Sequence, residues 1–284
     1  MEDEIFEQRT DLSKLKLAVE HIKATLAKII VGQHDSIDLL IAGILAGGHI
    51  LIEGVPGVAK TLTAKLIAKS IDAKYSRIQF TPDLMPSDIL GTSVFNPKTT
   101  DFEFNNMQEP FTVLATQNPV EHEGTYRLPE AQLDRFLFKI EIKYPSLDEE
   151  IAIITQQHSK KTIDQLKHIE PVLTAQDVIW LRDLVMGLHV EYKLVAYVAK
   201  IIHESRNNKS LYLGGSPRAS LAIINAAKAL AAIRGRDFVT PDDIIYVSAP
   251  VLRHRIMLTP DKEMEGVTPD DVVAQIIQKI EVPR

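Results

Sequence analysis

A chain of 284 residues, 45% hydrophobic and 25% charged, can bury a sizeable core and form more than one domain, with the composition of an ordinary soluble globular protein. Its formal net charge of −6 gives no global basic field to draw it onto nucleic acid or anionic lipid, and leaves only a local basic patch open. The lack of cysteine excludes disulfides, thiolate metal sites and a cysteine nucleophile, and fits a reducing, cytoplasmic setting.

Met1-Glu2-Asp3-Glu4 is acidic and lacks the apolar stretch of a signal peptide. Leu12 to Ile30 carries Leu15, Leu17, Val19, Ile22, Leu26 and Ile29 at helical spacing. Ile30-Val31-Gly32-Gln33 breaks that helix, and a second is expected from about Asp35 to Ala46. Its apolar run, Ile37 to Leu45, is far short of the ~20 residues that span a membrane. A strand over His49 to Glu53 follows, then a turn, then a helix over Leu62 to Ser70.

Further strands are expected over Tyr75 to Phe80, Asp101 to Phe104, Phe111 to Gln117 and Phe136 to Ile142. Gly91 to Thr100 and Glu121 to Arg127 read as loops, and Leu128 to Asp134 as a short helix. Strands alternating with helices predict an α/β layer with a parallel sheet, whose ligand sits beyond the carboxyl ends of the strands. After Pro145 the strand signals stop. Helices are expected over Leu147 to His158, Thr174 to Leu188 and Val195 to Arg206. Ser216-Pro217, Thr240-Pro241-Asp242-Asp243 and Thr268-Pro269-Asp270-Asp271 are helix-starting signals, with carboxylates on the positive helix end rather than in metal sites. The expected division is an α/β nucleotide-binding core over 1–158, a linker over 159–171 and a helical lid domain over 172–284.

The stretch with the clearest chemistry is Gly54-Val55-Pro56-Gly57-Val58-Ala59-Lys60-Thr61. Strand, glycine-containing turn, Lys-Thr and helix make a phosphate-binding loop. Unpaired N–H groups and the helix dipole attract the anion, and Gly54 and Gly57 let the backbone close around it. Lys60 would reach the β- and γ-phosphates, and Thr61 would offer a hydroxyl to Mg²⁺. The strict pattern has glycine where Ala59 stands, and alanine suits that place if its φ is already helical. The bland alternative is an ordinary strand-turn-helix with a chance Lys-Thr.

Together the motifs resemble the MoxR family of AAA+ ATPases. The loop above is similar to that family's Walker A loop, alanine included. Arg77 to Leu84 with Pro86-Ser87-Asp88, Ala115 to Pro119, Glu123 to Tyr126, Leu128 to Phe136 and Gly215 to Ala219 resemble further signatures. The resemblance implies a P-loop AAA+ core with a parallel sheet flanked by helices, followed by a smaller all-helical lid. It implies ATP and Mg²⁺ as cofactors, with nucleotide contacts from Val31, Gly32, Gln33 and Gly54 through Leu62.

It also implies four catalytic residues: Lys60, Asn118 positioning the attacking water, Arg135 as a finger reaching a neighbouring copy's γ-phosphate, and Arg218 contacting phosphates from the lid. Each of the last three has a structural alternative: a strand-ending turn, an ion pair with Asp134 or Glu130, and a solvated arginine in a helix's first turn. Val31 to Gln33 has one too, a plain helix-to-helix turn.

One part is missing. Phosphoryl transfer of this kind needs an apolar strand ending in Asp-Glu, and only Asn105 to Pro110 stands between Phe104 and Phe111, where the family carries it. The expectation is that tens of residues are absent there. The function implied is hydrolysis of ATP to drive chaperone-like remodelling or maturation of client proteins, by a homo-hexamer, with von Willebrand A domain proteins as partners. A non-hydrolysing nucleotide-binding scaffold and a magnesium-chelatase- or helicase-like motor are the alternatives.

Overall fold

The computed structural model describes residues 10–77, 94–96, 101–103, 111–118, 130–158 and 169–283. In chain order its first part comprises α1 (Ser13–Ala27), α2 (His34–Leu45), β1 (His49–Gly54), α3 (Lys60–Ser70), β2 (Val94–Asn96), β3 (Asp101–Glu103), β4 (Leu114–Gln117), α4 (Glu130–Leu133), β5 (Phe136–Ile142) and α5 (Leu147–His158). The second part comprises α6 (Ala175–Met186), α7 (Tyr192–Asn207), β6 (Leu211–Leu213), α8 (Pro217–Ile233), α9 (Pro241–Leu252), β7 (Met257–Leu258), α10 (Pro260–Met264) and α11 (Pro269–Lys279).

The central sheet has the order β4-β1-β5, all parallel. β1 is the middle strand, and Ile50, Leu51 and Ile52 are all buried, as expected of a strand covered on both faces. Its register sets Glu53 opposite Gln117 and Glu141, so the three strands end together beside Gly54. At the other end His49 pairs with Phe136.

α2 is apolar nearly all round, with Ile37 and every residue from Leu39 to Leu45 buried. Such a helix needs cover on more than one side. It packs on β1 and β5 and also against α6 and α8 of the second part. Seven alanines of α8 are buried, from Ala219 to Ala232, and short side chains let the helices approach closely. One hydrophobic cluster therefore takes in residues of both parts, from Leu12 to Ile276. Val172 N–H also donates to Ser70 O at 2.8 Å, fastening the second part to the end of α3.

Three local expectations change. Tyr75 to Arg77 are exposed and form no strand, while 78–80 lie outside the described residues. A strand there needs a neighbour, and among the described residues β4 has none on its outer edge. Val94–Asn96, expected as loop, pairs antiparallel with Asp101–Glu103. The helical part also contains a short antiparallel pair, β6 with β7.

Three helix-start signals behave as read, while Ser216 precedes α8 with Pro217 at its first position but makes no side-chain capping bond among the described residues. Thr174 with Asp177, Thr240 with Asp243 and Thr268 with Asp271 each close a capping box. Asp243 does more: it is fully buried and takes ion pairs from Arg234 at 2.9 Å and Arg236 at 2.6 Å. Burial alone would raise its carboxyl, but Arg236 and the Thr240 hydrogen bonds overrule it and hold the group below its ordinary range.

Candidate functional site

The candidate residues fall into two groups, one at each end of the sheet. The first gathers where β1 and β4 finish. Lys60, the first residue of α3, donates from Nζ to Gly54 O, to Val55 O at 3.1 Å and to Gln117 O at 3.3 Å. The ammonium thus spans the tips of both strands, and Asn118 follows directly in the chain. Thr61 is exposed in the first helical turn, and Ala59 O accepts from Thr63 N at 2.9 Å and Thr63 Oγ1 at 3.1 Å. Gly54 is required by packing, because a Cβ there would lie 2.7 Å from Ile142 O.

Ala59 does not meet the condition under which alanine would suit this place, a helical φ. It sits in the left-handed region at φ +59°, ψ +18°. That explains why the strict pattern has glycine here, since an L-residue in this conformation carries roughly 1–2 kcal/mol of strain.

The turn between α1 and α2 closes on the same loop. Gly32 has φ +69° and Gln33 φ +58°. Gln33 Nε2 donates to Val58 O at 3.3 Å, while its Oε1 is buried with no partner among the described residues. The carbonyl of Val58 can only accept, so it fixes which way the amide faces. α5 lies across this turn as well: Gln156 donates to Lys28 O, and Glu149 presses on Gly32 so closely that a Cβ there would lie 2.0 Å from its Oε1. Among the described residues no group of three or more His, Cys, Asp or Glu could hold a metal. A Mg²⁺ ion at this site would rest on the nucleotide's own phosphates, with Thr61 beside them, the usual habit of that ion.

The second group lies before β5, at the opposite end. Asp134 takes Arg255 Nε at 2.8 Å on one oxygen and Arg218 Nη1 at 3.3 Å on the other. Arg135 is exposed and forms no ion pair among the described residues. Asp134 is thus committed to two lid arginines rather than to Arg135. The anion beside Arg218 in this structure is Asp134. The separation follows from the register: five steps of ~3.3 Å along β1 set the two ends of the sheet roughly 17 Å apart, with Asp134 and Arg135 before the start of β5 and the Gly54 loop at the finish of β1.

Behind them the lid is bolted to β5. Arg255, with 3% of its side chain exposed, donates to Leu137 O at 3.1 Å and Phe136 O at 2.5 Å. Arg253 reaches Lys139 O at 3.2 Å and Asp270 at 2.7 Å. His254 Nε2 bonds Phe136 O at 2.9 Å, and burial pushes this imidazole down to about 3. Sequence reasoning missed this cluster and Glu149. Its one visible signal is the run Arg253-His254-Arg255 at the end of an apolar helix, a place where charge needs partners. The signature stretches over 78–93 and 119–129 lie outside the described residues.

A family model described as "ATPase family associated with various cellular activities (AAA)" matches residues 49–107 and 104–138, and one described as "AAA lid domain" matches 203–276. The chain is 38% identical to Chaperone MoxR1 of Mycobacterium tuberculosis, over 96% of this chain and 84% of that one. It is 39% identical to the uncharacterized protein YeaC of Bacillus subtilis over 94% of each.

The chain belongs to the MoxR family of AAA+ ATPases. The fold agrees. A crystal structure of a Cytophaga hutchinsonii protein given as a candidate ATPase superposes with a TM-score of 0.83 at 31% identity, covering 95% of this chain and 97% of that one. The architecture is thus a MoxR AAA+ core, its parallel sheet flanked by helices, with a helical C-terminal lid.

The match also locates a difference. The AAA model aligns in two pieces that meet at 104–107. The alignment to YeaC runs over 307 positions, whereas 94% of 284 residues is about 267, so roughly 40 positions have no counterpart in this chain. The break between the two pieces falls where the sequence lacks the strand ending in Asp-Glu.

Proposed function

We propose that this MoxR-family chain is an ATP hydrolase that remodels or matures client proteins, and that it works as a ring, six copies in the family pattern, in the cytoplasm. Residues 1–158 serve as the nucleotide-binding core, 159–171 as linker and 172–284 as lid. One copy's phosphate loop is completed by Arg135 and Arg218 of the next. The observation that carries this is the separation of the two groups: Lys60 and Asn118 at one end of the sheet, Arg135 and Arg218 at the other. A head-to-tail contact brings opposite ends of neighbouring copies together, and such contacts close into rings.

In this reading the nucleotide draws Lys60 from the carbonyls of Gly54, Val55 and Gln117 onto the phosphates. The amides at the start of α3 take the phosphate oxygens, and Asn118 orients water. Bound Mg²⁺ supplies charge neutralisation on the phosphates, with Thr61 as its protein contact. The arginines of the next copy meet the charge that builds up as the γ-phosphoryl leaves, and Asp134 holds Arg218 until then. The client role is carried over from the relative named a chaperone. Von Willebrand A domain proteins are the proposed partners.

Phosphate release tests it. Lys60→Ala and Arg135→Ala should each be inactive, the second by roughly 10³-fold or more. Mixing Lys60→Ala with Arg135→Ala, or with Arg218→Ala, should restore part of the activity. No recovery in the Arg218→Ala mixture would show that this arginine serves its own chain's site.

A second reading has its own support: without an acidic strand between Phe104 and Phe111, the chain binds ATP and assembles but does not hydrolyse it. Tight ATP binding and ring formation with no phosphate release would favour it.

A further inference from the structure

We infer that Glu149, with Gln33, selects the nucleobase: its carboxylate receives the exocyclic amine of adenine. The inference rests on reading the phosphate loop as a nucleotide site. β5 leaves the sheet at Ile142, which pairs with Gly54, and the chain turns at once into α5. Glu149 is therefore delivered to the same end of the sheet as the loop. Its Oε2 accepts from Ser146 N at 2.8 Å, which fixes the side chain and leaves Oε1 against Gly32. The Ser146 backbone N–H holds this carboxyl below its ordinary range, so at neutral pH it only accepts.

Next to it in the chain order of the turn, Gln33 Oε1 is buried without a partner while its Nε2 is tied to Val58 of the loop. Two acceptor oxygens thus belong to or abut the Gly32–Gln33 turn, one of them unsatisfied among the described residues. A buried acceptor calls for a donor. At the six-position adenine offers an amine, whereas guanine and hypoxanthine offer a carbonyl oxygen, which an acceptor repels. Residue 32 serves this arrangement by lacking a side chain, since any Cβ would displace the carboxylate.

The test measures binding of ATP, inosine triphosphate and GTP to the full chain by competition with a fluorescent ATP analogue. Wild type should prefer ATP to inosine triphosphate by 10- to 100-fold. Glu149→Ala should weaken ATP and, by removing the repelling acceptor, leave the other two no weaker than in wild type, closing the gap. Gly32→Ala should act in the same direction. Ser146→Ala, which removes the hydroxyl that accepts from Glu149 N at 3.4 Å at the start of α5 but leaves the carboxylate, should lower the melting temperature and keep the ATP preference.

An unchanged ratio of ATP to inosine triphosphate in Glu149→Ala overturns the inference. If the ratio holds while Lys60→Ala abolishes binding, only the role of Glu149 is lost. If wild type binds none of the three, or binds them equally well with Lys60→Ala, the nucleotide site itself is refuted.

Discussion

The two edges of the central sheet are finished differently. On the β5 edge, lid arginines occupy the backbone carbonyls that a further strand would have taken: Arg255 holds Leu137 O and Arg253 holds Lys139 O. On the β4 edge no described residue pairs, and Phe111 and Val113 are each 38% exposed. Unpaired strand edges and exposed apolar groups are liabilities that folded proteins cover. The lid covers one edge within the chain. The other edge adjoins, in sequence, the point where the match to the AAA model breaks into two pieces. Among the described residues the sheet is thus sealed where it meets the lid and open along β4.

The largest expected effect breaks the sealed edge. Asp134→Ala strips a carboxylate from the buried Arg255 guanidinium and should cost about 3–5 kcal/mol in urea denaturation. A loss below 1 kcal/mol would mean the lid is held by apolar packing alone.

The same edge should respond to pH through His254. Its folded value of about 3 lies below the ordinary 6.5, so below pH 6.5 the unfolded chain takes up a proton that the folded chain refuses. Stability should fall as pH drops from 6.5 toward 3, by about 2 kcal/mol at pH 5, and His254→Gln should flatten that slope. Identical slopes in the two proteins would remove His254 from the clamp.

The contrast itself can be read by hydrogen exchange. Amides of β4 should exchange well before those of β1, because an edge strand opens without breaking the core. Ala59→Gly is the smallest change: relief of left-handed strain opposes the added freedom of the unfolded chain, giving a neutral result or a gain up to ~1 kcal/mol. Arg218→Ala should also move stability by less than ~1 kcal/mol, since its ion pair is exposed, and any large loss of activity then belongs to the site.

Much of the site was legible as local sequence. A glycine turn between an apolar run and Lys-Thr can form from nearest-neighbour constraints, and so can the Thr-Pro-Asp-Asp helix starts and the β5 strand, found at its expected bounds. Those patterns determined that this chain has a strand-turn-helix of the phosphate-loop pattern, an α/β layer and a helical second part. What only the tertiary structure decided is where distant residues meet. The left-handed φ of Ala59 depends on how the loop closes. The placing of Arg218 on Asp134, 84 residues away in sequence, depends on the lid docking against β5. Glu149 reaches Gly32 because β5 ends beside Gly54, a consequence of strand register. Short-range stereochemistry is written residue by residue, whereas register and docking are chosen by which surfaces exclude water best, and that is a property of the whole chain.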